Sequence, residues 1–133
     1  MKRTGFMSRG KPLAKTSFKR APDQLPKRMK TARPKMTPIR ASARGEECTL
    51  HFPGVCNENP ETTVWCHSNR LVDGKGIGLK APDEQGCYGC SACHAFLDGG
   101  YARSVMPRST VDAFFDFARS LSRDKLKQKG LLK

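Results

Sequence analysis

The sequence predicts a small α+β domain with a C-terminal helix, preceded by a disordered basic arm. Three observations predict it. Charge is divided along the 133 residues: the net +13 sits almost wholly in residues 1–40, which hold thirteen Lys and Arg against Asp23 alone. All six cysteines fall in the near-neutral remainder, four of them as the pairs Cys48/Cys56 and Cys90/Cys93. In that remainder a short β-branched and aromatic run, Thr62–Cys66, precedes two segments of helical character.

A chain of this length has room for one compact domain beside the arm. Within residues 1–40, Pro12, Pro22, Pro26, Pro34 and Pro38 interrupt the basic residues, and the few apolar side chains follow no period, so the arm is expected to be disordered. A polycation of this kind is drawn to phosphates through counterion release. Lys19, Arg20, Lys27, Arg28 and Lys30 are therefore candidate DNA contacts. A solubilising tail or an organellar transit peptide is the other reading, and the prolines oppose the amphipathic helix a transit peptide needs. No secretory apolar region and no apolar run long enough to cross a membrane is present in the sequence. A reducing compartment is therefore expected, with cysteines used for metal rather than disulfides.

The domain is expected over residues 41–133, with its core at 44–100. From Arg44 to Cys56 the sequence reads as an extended segment and a Pro53-Gly54 turn, across which Cys48 and Cys56 can face one another. With Cys90 and Cys93 they supply four thiolates in two pairs, the arithmetic of a treble-clef zinc site. Sets that recruit His51, Cys66 or Cys87 stay open at this point, as does burial of some thiols as small hydrophobes.

A turn at Asn57–Glu61 leads into the Thr62–Cys66 strand, which ends at His67. The Gly-Lys segment from Asp73 to Lys80 is either a loop that approaches phosphates, through Lys75 and Lys80 with nearby Arg70, or a plain hairpin tip. Cys90-Ser91-Ala92-Cys93 then suits a turn running into a helix, whose first amides favour sulfur anions. On that helix His94 and Asp98 stand four apart and share a face, before Gly99-Gly100 ends it. A second helix is expected from about Ser109 to Arg123, opened by a Ser109-x-x-Asp112 capping box. Its stripe of Val111, Phe114, Phe115, Ala118 and Leu121 should close over the core, and the basic tail to Lys133 should form the helix end.

A histidine ending a strand, a glycine-rich loop and a Cys-x-x-Cys-His opening a helix together resemble the HNH or His-Me finger nucleases, whose ββα-metal core is a treble clef. More closely, Cys56-Asn57-Glu58-Asn59-Pro60-Glu61-Thr62-Thr63, Cys66-His67-Ser68-Asn69, Gly74-Lys75-Gly76-Ile77-Gly78-Leu79-Lys80 and Cys90-Ser91-Ala92-Cys93-His94 resemble the small YbcO-like nucleases of lambdoid phages and prophages. The match spans about residues 40–100.

The resemblance implies a DNA endonuclease of the bacterial host cytoplasm, with a structural Zn²⁺ on the four cysteines and a catalytic Mg²⁺ or Mn²⁺. His67 takes the place of the general base, for which an ordinary imidazole pKa of about 6.5 suffices. His94 and Asp98 match the ligands of the catalytic ion, and Asn69 and Asp83 are candidate polar supports for His67. One departure is Cys66, where the family often places Asp or His as a further ligand; a thiol is a poor partner for Mg²⁺. The alternative is a non-catalytic zinc module that binds nucleic acid, as a recombination accessory or regulator. The two differ at His67 and His94, which only the enzyme needs beside one metal.

Overall fold

The structure, a computed structural model, describes residues 35–133; the expected phosphate contacts Lys19, Arg20, Lys27, Arg28 and Lys30 lie outside the described residues. The boundary expected at Ala41 falls inside a one-turn helix, α1 (Pro38–Ala41). Thr37 caps it by accepting the Arg40 N–H at 3.3 Å, and Pro38 supplies a first helical residue that needs no donor. Ile39 and buried Ala43 then pack with Trp65, Tyr88 and Leu126. Residues 37–43 are thus part of the folded domain.

Strands β1 (Val64–His67) and β2 (Gly86–Gly89) pair antiparallel, with Trp65 opposite Tyr88, Cys66 opposite Cys87 and His67 opposite Gly86. The strand expected at Thr62 begins two residues later because Asn59 and Pro60 initiate a 3₁₀ turn that takes up Pro60–Thr62. All four residues of β2 are buried, and its end glycines are dictated by contact. A Cβ on Gly86 would stand 2.4 Å from the Trp65 indole nitrogen, and one on Gly89 would stand 2.6 Å from Cys66 Sγ. Trp65 meets Tyr88 edge-on at 5.0 Å, a cross-strand aromatic pair that stabilises the register.

Helix α2 (Ser91–Leu97) follows β2 directly, with Cys90 as its cap: the Cys90 sulfur accepts the Cys93 N–H at 3.4 Å. The long helix α3 runs from Arg108 to Gln128, further than expected at its C-terminal end. No capping box forms. Pro107 is the cap residue, and Asp112 pairs instead with Arg108 at 3.4 Å, one turn before it. The buried face of α3 is Val111, Phe115, Ala118, Ser122 and Leu126, while Phe114 is partly buried and Leu121 is 39% exposed. The expected stripe therefore drifts off the core after Ala118, because steps of four and three carry the face to Ser122 rather than Leu121.

Leu50, Phe52, Phe96, Leu97, Val111 and Phe115 form the main core with the buried cysteines. Phe52 lies 4.8 Å from the Phe96 ring and 5.4 Å from that of Phe114. Each such side chain contributes roughly 1.5–3 kcal/mol by leaving water. A buried polar junction ties three parts of the chain together. Ser122 Oγ accepts the Tyr88 N–H at 3.0 Å and lies 3.0 Å from Thr49 Oγ1, which donates to the Tyr88 carbonyl at 2.7 Å. The result is a small α+β domain with a two-stranded sheet and a C-terminal helix. Among the described residues no helix is long and apolar enough to cross a membrane.

Candidate active site and cysteine cluster

The turn at Pro53–Val55, closed by Val55 and Cys56 N–H bonds to the Phe52 carbonyl, brings Cys56 back toward Cys48. Both then meet the start of α2. The sulfurs of Cys48, Cys56, Cys90 and Cys93 all lie within 4.8 Å of one another, and Cys56 Sγ is 3.9 Å from Cys90 Sγ. That is far too long for a disulfide and close to the ~3.8 Å edge of a tetrahedron with 2.3 Å metal–sulfur bonds. Crowding splits their proton affinities. The bond with Cys93 holds Cys48 down at about 4, the Cys93 thiol is pushed far up, and burial raises Cys56 to about 11. Four thiols so close share protons unequally until a cation replaces them, and their donor set suits a soft or borderline ion such as Zn²⁺. His51, with its backbone in the left-handed region at φ +42°, places Nδ1 3.6 Å from Cys56 Sγ, beside the quartet rather than in it. Cys66 and Cys87 are fully buried opposite one another in the sheet and lie outside the quartet.

On the other side of α2 opens a cleft of about 490 Å³ lined by His67, Ser68, Asn69, Lys75, Lys80, His94, Leu97, Asp98, Gly99, Tyr101 and Arg108. Strand alternation explains the first of these. Cys66 points into the core, so His67 faces the cleft. Cys66 therefore supplies nothing to the cleft.

His67 Nε2 lies 2.8 Å from Asp83 Oδ1. Asp83 is held in turn by Arg40 Nε at 3.0 Å and by the Thr37 hydroxyl at 2.5 Å. Burial opposes ionisation of Asp83, but the bonds from Thr37, His67 and Arg40 outweigh it and keep the carboxyl below its ordinary value. An ionised Asp83 accepts a hydrogen bond from Nε2–H of His67, which leaves the lone pair on Nδ1. Burial lowers the pKa of His67, with Arg40 and Lys80 adding to that, against the upward pull of Asp83. The net lowering favours the neutral imidazole.

Across the cleft His94 Nε2 stands 3.3 Å from Asp98 Oδ2, as the spacing on one helix face predicts. Asn69 does not support His67. Its amide donates to Asp98 Oδ1 at 2.7 Å and its oxygen accepts from Lys75 Nζ at 2.6 Å, so it fixes the carboxylate and the lysine instead. Lys80 lines the cleft, whereas Arg70 is committed elsewhere. Its guanidinium bonds Asp116 at 2.7 and 3.0 Å and Asp73 at 2.9 Å, which fastens the segment after β1 to α3.

Two lining residues lie beyond the motifs read from the sequence. Arg108 donates to Tyr101 Oη at 2.8 Å and sits 5.6 Å over its ring, at the mouth of the cleft. A cation seven residues from an aromatic ring has no local pattern to betray it; only the fold-back between α2 and α3 brings them together.

Comparison with known proteins matches residues 37–128 to the family described as "Putative nuclease YbcO". A curated protein of that name from Escherichia coli (strain K12) is 47% identical, over 51% of this chain and 77% of its own length. A second, from Enterobacteria phage 82, matches to the same extent. Among solved structures, that of "a putative bacteriophage protein from Escherichia coli str. K-12 substr. MG1655" is similar with TM-score 0.55 and 29% identity, covering 70% of this chain and all of that one.

Proposed function

This chain belongs to the YbcO nuclease family, and from that premise we propose that it is a divalent-metal-dependent DNA endonuclease of HNH type, on a zinc-stabilised treble clef. One observation carries the reading. His67, hydrogen-bonded to the Asp83 carboxylate, lines the same cleft as a second histidine and carboxylate, His94 with Asp98.

In this reading Cys48, Cys56, Cys90 and Cys93 would hold the structural zinc, which would join the Pro53–Val55 turn to α2. His94 and Asp98 would hold the catalytic Mg²⁺ or Mn²⁺; one imidazole and one carboxylate would suit an ion that keeps several waters. Bound there, the ion would supply Lewis-acid stabilisation to the phosphate and the departing oxygen. Nδ1 of His67 accepts a proton from water as its oxygen bonds to phosphorus and the phosphorus–oxygen bond on the far side breaks. Asp83 keeps Nε2 protonated and the ring oriented. Lys75 and Lys80 attract the phosphates on either side, Asn69 holds Asp98 and Lys75 in register, and the basic segment 1–40 adds affinity without reading sequence. Phage or prophage DNA in the bacterial cytoplasm is the setting that this reading fits.

The test is incubation of the purified chain with supercoiled, linear and branched DNA, with Mg²⁺ or Mn²⁺ and with EDTA. Metal-dependent cleavage by wild type, lost in His67→Ala and His94→Ala while DNA binding persists, is expected. A zinc-loaded wild type that binds every DNA form and cuts none would instead make the chain a binding module.

A further inference from the structure

Lys75 and Lys80 both line the cleft, and the four residues between them form a hairpin tip. Gly76 and Leu79 bond each other through both backbone pairs, at 3.1 and 3.2 Å, and Gly78 makes the turn possible with φ +71°. Leu79 folds against Gly76, its side chain 3.6 Å from where a Cβ would be. Ile77 touches nothing of that kind and is fully exposed at the apex.

Single exposed apolar side chains are ordinary on protein surfaces. This one is not isolated: Leu71, Val72, Ile77 and Leu79 are each more than two-thirds exposed within nine residues. That concentration adjoins the cleft. The flanking residues say what covers it. An apolar tip between two lysines that line the cleft complements a surface that is anionic outside and apolar within, which describes a nucleic acid helix. The tip is also narrow, because Ile77 has glycine on both sides and so presents a single side chain. Such a profile suits a minor groove about 6 Å wide, into which apolar wedges insert to unstack a base step.

Resting on the DNA-cleaving reading of the cleft, we propose that Ile77 is an intercalating wedge: the Gly76–Leu79 tip enters the minor groove of duplex DNA, and Ile77 unstacks one base step while Lys75 and Lys80 hold the neighbouring phosphates. The bend that follows feeds the adjoining phosphodiester into the cleft. Unstacking is least costly at pyrimidine–purine steps, so the wedge gives the enzyme a preference for TA and CA/TG over A-tracts without any hydrogen bond to a base.

The test uses the full chain, zinc-loaded, in Ca²⁺, with short duplexes that carry 2-aminopurine at a central TA step or within an A-tract, and with the matching single strand. Binding should brighten 2-aminopurine at the TA step and favour that duplex over the A-tract. Ile77→Ala should abolish the brightening and weaken duplex binding about tenfold, while single-strand binding holds; Ile77→Leu should retain both. The exposed site makes both variants neutral for folding, and circular dichroism checks this. No brightening with wild type, or an Ile77→Ala variant that loses duplex and single-strand binding equally, would overturn the wedge. A Mg²⁺ cleavage assay on the same proteins separates the two levels. Cleavage without brightening removes the wedge and leaves the nuclease, whereas Ile77-dependent brightening without cleavage leaves the wedge and removes the nuclease.

Discussion

Arg40 and His67 take the same oxygen of Asp83, at 3.0 and 2.8 Å. A residue from the edge of the basic segment and the candidate base of the cleft are therefore coupled through one carboxylate. With Thr37 and His67, Arg40 holds the Asp83 carboxyl below its ordinary value, and an ionised Asp83 fixes the His67 proton on Nε2.

Asp83→Asn tests that coupling. Loss of the charged acceptor frees the His67 tautomer and should lower kcat roughly 10- to 100-fold. In wild type the His67 pKa lies below its ordinary value, so the rate should be flat at neutral pH and fall as pH drops through that lowered pKa, below about 6.5. The upward pull of Asp83 is absent in the variant, so the acid limb should move to still lower pH. A pH–rate profile of kcat/KM checks both; an unmoved limb would mean that another group titrates.

The two kinds of buried thiol should separate cleanly. Cys93→Ser should lose zinc, measured by elemental analysis, and with it much of the cooperative thermal transition, since metal binding in a small domain is folding free energy. Cys66→Ala should keep one zinc per chain and lose only about 1–2 kcal/mol, the cost of a small cavity beside Cys87.

Arg70→Ala should act on stability rather than on DNA. Its partners Asp73 and Asp116 already occupy the guanidinium, and the partly exposed Asp116 makes a loss of ~1–2 kcal/mol the reasonable size. Denaturant titration should show that loss, while DNA affinity of the folded variant stays within about twofold. Lys75→Ala should do the reverse.

Truncation should be made before Thr37. Removing residues 1–34 takes away eleven Lys and Arg and should flatten the slope of log affinity against log salt, by up to about 0.9 for each phosphate that is no longer neutralised. Removing residues 1–40 also deletes the Thr37 and Arg40 bonds to Asp83 and should add the rate defect of Asp83→Asn. Equal rates in the two truncations would detach Arg40 from the cleft.

What the sequence shows of this molecule is what lies close along it. The cysteine pairs, the His94–Asp98 face and the histidine ending a strand are all set within a turn or a strand, so spacing alone reveals them. Pairings between distant residues leave no such trace. Asp83 is 43 residues from Arg40, and Arg70 is 46 from Asp116. Thus Arg70 reads as a phosphate contact until α3 is seen beside it. Asn69 likewise has no local feature that would turn it toward Asp98 rather than His67. Ser109 and Asp112 satisfy a capping pattern, but Pro107 already sets the helix start and Arg108 takes the carboxylate.

The Ser122 junction bears on how the molecule is born. A chain is made N-terminus first, so all four clustered cysteines are synthesised before α3. Until Ser122 is made, the Tyr88 N–H lacks the hydroxyl oxygen that accepts it in the folded domain. Arg108 of the cleft wall and Asp116, which anchors Arg70, arrive in the same late stretch. The cleft thus has all its walls only after synthesis has passed into α3.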